Sequence, residues 1–152
     1  MERRGLFEPA DESEVETQYR ELAGAAQTVT REVARTMEMD REEYRERVTG
    51  EVVETARDAL YASLLRVYVG SREEFEAYCE AHPDLDPRVE GSDHVDNVAF
   101  HPAPVAGEVV AVTYQNERDA AVAALRRQAH GTVYRDVLAV GSGDDAADAE
   151  SE

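Results

Sequence analysis

Leu65-Arg66-Val67-Tyr68-Val69-Gly70-Ser71-Arg72-Glu73-Glu74 is the stretch on which the fold class turns. Its first five residues alternate and include β-branched valine, the pattern of a short strand. Gly70 ends that run. Ser71 and Glu74 then have the serine-to-glutamate spacing of a capping box, which opens a helix. The spacing predicts a helix over about 72–81, with Phe75, Tyr78 and Cys79 on one face. A strand feeding straight into a helix, after a long helical region, makes the chain α+β rather than all-α.

Upstream the apolar period is helical throughout. Residues 1–10 read as a flexible arm ending near Pro9. Asp11 caps a first helix whose stripe is Val15, Tyr19 and Leu22. A second helix, about 25–38, carries Ala26, Val29, Val33 and Met37 as its core-facing stripe. Asp40 and Glu43 have capping-box spacing and open a short third helix. Thr49 caps a fourth, with Val53, Ala56, Leu60 and Leu64 in line.

Downstream, Pro83 and Pro87 bound a turn region at 81–87. Strands are predicted at 95–101 and, more strongly, at 108–114, where Val110, Val112 and Tyr114 alternate. Asn116 is placed to cap a last helix, with the stripe Val122, Leu125, Ala129, Val133 and Val137. That stripe survives Gly131, so the helix extends to about 138; a break at Gly131 and a strand over 132–137 is the alternative. The expectation is an N-terminal helical group, then a small, mostly antiparallel sheet of about three strands packed with two helices. Residues 11–140 form a single domain and 141–152 a disordered acidic tail.

Composition bounds the setting. The chain has 152 residues and a formal net charge of −18, with 34 acids against 16 bases. The hydrophobic fraction of 42% lies close to the globular norm of roughly 45–50%, enough for a core. Every base is arginine; lysine, isoleucine and tryptophan are missing. A GC-rich genome accounts for the missing lysine and isoleucine, but not for 34 acids. So large a charge destabilises a compact state by self-repulsion, and at about 1 M salt the screening length is only about 3 Å. The composition therefore reads as halophilic. An acidic surface in that setting is the default coat and says nothing of partners. Nucleic acid is disfavoured, because no basic patch offsets the acids.

One cysteine, Cys79, rules out an intramolecular disulfide. No apolar run approaches the roughly 18 residues of a membrane span. The start, Met1 to Phe7, lacks the apolar stretch of a secretion signal. A cytoplasmic location is the expectation.

Three stretches, AAQTVTREVARTM (25–37), DREEYRERVTGEVVETARDAL (40–60) and QNERDAAVAALRRQA (115–129), resemble a small acidic family of haloarchaea with no assigned activity. The resemblance spans roughly residues 5–139. It implies the same high-salt setting and carries no functional residues with it.

Four constellations could carry function. Cys79-x-x-His82, joined by His101 or His94, has donors suited to tetrahedral Zn²⁺; the plainer reading is a core cysteine with surface histidines. His101 is also the one lone histidine to test as a base. Residues 97–143 sum to zero charge, with Arg118, Arg126, Arg127 and Arg135 balancing four acids. Arginine is enriched at interfaces, so this region is a candidate partner-binding or dimer face, against internal pairing of the same charges. The helices near 25–38 and 41–47 could form a helix-turn-helix with Arg41, Arg45 and Arg47, although Glu42, Glu43 and Glu46 alternate with them. Enzyme signatures are missing: no P-loop, no G-x-S-x-G elbow, and a Gly141-Ser142-Gly143 without its third glycine. The leading expectation is a non-enzymatic module that binds a protein partner or itself. A zinc-binding protein or metal-dependent enzyme, and a DNA-binding regulator, are the alternatives.

Overall fold

A computed structural model of the chain describes residues 1–139. The predicted acidic tail lies outside them. The fold is α+β, as expected, but its sheet is larger. In order the chain forms β1 (Glu2–Arg4), α1 (Glu12–Glu21), α2 (Ala23–Thr36), α3 (Arg41–Arg47), α4 (Gly50–Ser63), β2 (Val67–Ser71), α5 (Arg72–Ala81), β3 (Asp86–Glu90), β4 (Asn97–Ala103), β5 (Glu108–Tyr114) and α6 (Arg118–Ala129). The sheet is five-stranded and mixed, in the order β1-β2-β4-β5-β3. Its three central strands are antiparallel; β3 runs parallel to β5.

Both edge strands correct the sequence reading. β1 lies inside the predicted arm and pairs with β2, Glu2 opposite Val69 and Arg4 opposite Val67. Its sequence, Glu-Arg-Arg, has no strand pattern; ion pairs secure it instead. Arg4 meets Asp119 at 2.8 Å, and Arg118 meets Glu2 at 3.2 Å. β3 falls at the end of the proline turn, and all five of its residues are exposed. With no buried face it shows no alternation, and Pro87 and its charges suit an unprotected edge.

Most predicted caps are present. Asp11, Asp40 and Thr49 accept from the backbone amides of Glu14, Glu43 and Val52. Ser71 and Glu74 close the capping box in both directions. Asn116 does not cap α6, which starts at Arg118 after Glu117 with no side-chain cap.

The pleat divides the core. Val98, Phe100, Val109 and Ala111 face α5 and pack with Phe75 and Leu85. Ala99, Ala103, Val110 and Val112 face α6, α4 and α1, meeting Val15, Tyr61, Leu125, Val133 and Tyr134. The last helix continues past α6 as a π-helical segment, His130–Tyr134, and then as α-helix to residue 139. The helical reading across Gly131 therefore stands, and no strand forms at 132–137.

Gly5 marks where the N-terminal segment crosses the α4–β2 junction. Its φ is +95°, and a Cβ there would collide with the Leu65 carbonyl. Leu6 and Phe7 amides both donate to Leu64 O, at 2.7 and 2.9 Å.

Candidate functional site

The second helix departs from its predicted orientation, and the departure creates the most distinctive surface of the molecule. The residues of α2 that are buried are Ala26, Thr30 and Ala34, spaced four apart. These small side chains let α2 lie close against α4, and Thr30 turns its hydroxyl onto Ala26 O at 2.8 Å. The larger members of the predicted core stripe are left outside: Val29 is 42% exposed, Val33 52% and Met37 59%. Val52 on α4 is 43% exposed. Together they wall a groove of about 330 Å³, with Ala56 and Ala59 on the α4 side and Met39 and Val48 closing one end. Of the side chains lining it, Arg47 alone is charged. The α2 flank carries few acids: Arg31, Glu32 and Arg35 are the charged residues of α2, and Arg35 pairs with Glu32 at 3.4 Å.

The predicted partner-binding arginines divide. Arg118 is engaged with Glu2, and the Arg126 Nε donates to Leu65 O at 3.0 Å. Both serve the fold. Arg127 and Arg135 are exposed. The structure does not gather the four into one patch aimed at solvent.

The predicted zinc donors are not brought together either. Cys79 is half-buried on α5, and burial pushes its thiol pKa up, away from the thiolate that a metal needs. His82 donates its Nδ1 to Tyr78 O at 2.9 Å and stacks on the Tyr78 ring. His94 lies exposed in the turn before β4. His101 sits on the opposite face of the sheet from Cys79, because it follows Phe100 on β4 and the pleat reverses at each residue. It is fully buried. Its Nδ1 lies 2.6 Å from Arg66 O and its Nε2 2.5 Å from the Tyr134 hydroxyl. A carbonyl only accepts, so Nδ1 carries the proton and the tyrosine donates to Nε2. Burial pushes the His101 pKa down to about 4. With both nitrogens used inside the core, it has no free position for a metal or a substrate. Among the described residues, no cluster of three or more His, Cys, Asp and Glu is arranged to hold a metal ion.

The third helix is seven residues long with none buried. Arg41, Arg45 and Arg47 share it with Glu42, Glu43 and Glu46, and Arg47 turns toward the apolar groove. Among the described residues, no helix is long and apolar enough to cross a membrane.

A five-stranded mixed sheet, helices on both of its faces and an apolar groove on an outlying helical pair define the chain as an α+β protein. It belongs to the family of unknown function DUF5809, whose sequence profile matches residues 6–135. No curated protein and no solved structure matches it.

The stripe on α2 is legible in the sequence, but its larger members face outward instead of into the core. The signal that separates the two faces is the parallel series Ala26, Thr30 and Ala34, whose small residues mark the close helix–helix contact.

Proposed function

We propose that the chain is a non-enzymatic module that pairs with a second copy of itself through the α2–α4 groove, in the cytoplasm of a cell with molar internal salt. The observation that carries this reading is the outward stripe Val29, Val33 and Met37 beside a cleft whose one charged lining residue is Arg47. Large apolar side chains on an otherwise acidic surface mark an interaction face. The character of that face favours a like partner. A basic partner would be steered to the acidic stretch 67–96, not to a cleft lined by one charge. A second copy brings the same near-neutral ridge, and a two-fold axis sets the Val29–Val33 ridge of each copy into the groove of the other. The small Ala56 and Ala59 allow the backbones to approach.

The salt setting rests on composition and on pairing. Ion pairs among the described residues engage Glu2, Glu32, Glu74, Glu108 and Asp119, a small part of the acids in those residues. The remaining coat needs counterions to suppress its repulsion.

Molar mass by light scattering in molar KCl tests the pairing. The expected result is a dimer that Val33→Glu converts to a monomer with an unchanged circular dichroism spectrum. A monomer at every concentration reached, or a dimer indifferent to Val33→Glu, overturns the reading.

A further inference from the structure

A second cavity, on the other side of α4, is independent of the groove. It encloses about 320 Å³ between α1, α4 and the end of the last helix. Its walls are Tyr19, Glu54, Asp58, His130, Arg135, Leu138 and Ala139, and three features set it apart from the acidic surface around it.

The first is His130, which forms part of the wall. It is 7% exposed, and its buried Nε2 has no hydrogen-bond partner among the described residues. An unsatisfied buried nitrogen destabilises the folded chain. It is held at the first residue of the π-helical segment, a local widening of the helix that is often found at functional sites. Burial, helped by Arg135, lowers its pKa, while Asp58 opposes them. The ring is therefore neutral at ordinary pH, with one nitrogen able to accept.

The second is a pair of carboxylates one helical turn apart. Glu54 is exposed; Asp58 is half-buried and receives the Tyr19 hydroxyl on Oδ1 at 2.6 Å. Tyr19 is in turn held from behind by the Arg57 guanidinium, 4.1 Å from its ring centroid. Asp58 is thus fixed in orientation at the cavity wall.

The third is that both signs of charge, and an apolar surface, meet in one small space. Arg135 supplies a guanidinium suited to a carboxylate. Leu138 and Ala139 supply the apolar wall. Ligand pockets start at about 300 Å³, so this one suits a small molecule.

We propose that this cavity binds a small aliphatic amino acid as its zwitterion. The ammonium group lies between Glu54 and Asp58, against the His130 ring. The carboxylate pairs with Arg135, and the side chain rests on Leu138 and Ala139. A metal ion alone does not fit this description, because Arg135 repels it and the carboxylates and His130 are not arranged as ligands.

The experiment is a titration of the full chain in molar KCl, followed by NMR of the histidine side chains. The probe is L-valine, with its two halves, isobutylamine and 3-methylbutanoate, as separate arms. The expected result is a saturable change in the His130 ring resonances with L-valine, and binding at least tenfold weaker for each half. Arg135→Gln and Glu54→Gln, both at exposed positions, are expected to weaken L-valine at least tenfold while the circular dichroism spectrum stays unchanged. No saturable change with L-valine overturns the proposal. So does isobutylamine binding as tightly as L-valine, or an Arg135→Gln variant that binds normally. The oligomeric state measured for Val33→Glu does not enter this test, so the two readings fail separately.

Discussion

The Tyr134 hydroxyl donates to Nε2 of His101 at 2.5 Å, joining the π-helical segment to the middle of β4. The other side of the same imidazole is bound to Arg66 O, just before β2. One buried ring thus connects three parts of the fold. Tyr134→Phe removes the donor and leaves a buried nitrogen unpaired, which costs about 1–3 kcal/mol. Urea unfolding in molar KCl should show the loss. A change smaller than about 0.5 kcal/mol would mean that the bond contributes little beyond the packing of the ring.

The same histidine sets a pH dependence. Its folded-state pKa is about 4, pulled below the ordinary 6.5 by burial. Above about pH 6.5 the ring is neutral in both folded and unfolded chains, and its contribution is complete. As pH falls from there toward 4, the unfolded chain takes up a proton that the folded chain refuses. Stability should drop by about 3 kcal/mol across that window. The lowered pKa of His130 acts in the same direction. Unfolding curves at fixed salt, compared with those of His101→Gln, isolate the effect, and a variant that follows the parent slope would contradict it.

Gly5 and Gly24 should respond oppositely to alanine. At Gly5 the backbone has φ +95° and a Cβ meets the Leu65 carbonyl, so Gly5→Ala should cost about 2 kcal/mol or more. Gly24 lies in the first turn of α2 with open space around it, so Gly24→Ala should stabilise by up to about 1 kcal/mol. Thermal unfolding of the two variants side by side decides the matter.

Salt should be a structural requirement. Reducing KCl from about 1 M to about 0.1 M lengthens the screening distance from about 3 to about 10 Å, and the unpaired acids then repel one another. The melting temperature should fall steeply over that range, with unfolding or aggregation at the low end. An unchanged melting temperature would remove the halophilic reading.

Much of the fold was legible because the apolar residues of its central elements recur at regular intervals. The strand at Val67 to Ser71, the strand at Glu108 to Tyr114 and the stripe through Val122, Leu125 and Val133 each announce themselves by period, and Ser71 with Glu74 by capping-box spacing. The edge strands do not, since β3 buries nothing and β1 is held by charges from a helix more than a hundred residues away. Asn116 looks like a cap, yet α6 begins two residues later, at Arg118, with no side-chain cap.

The candidate sites were less legible. The spacing of Cys79 and His101 says nothing about which face of the sheet each takes, and the pleat separates them. Arg118 and Arg126 look like interface residues until their partners, Glu2 and the Leu65 carbonyl, are seen. His130 and Asp58 are seventy-two positions apart, and only the packing of the last helix on α4 sets them around one cavity.

The two faces of α2 assign different tasks to different residues. Ala26, Thr30 and Ala34 hold the helix to its own chain, while Val29, Val33 and Met37 keep much of their surface outside. Descendants of this sequence could therefore strengthen, weaken or abolish the proposed pairing by exchanging outer residues, with the monomer's architecture untouched. Changes at the three small positions would have no such freedom, because any enlargement there pushes α2 off α4. Oligomeric state should consequently drift faster among relatives than the fold does.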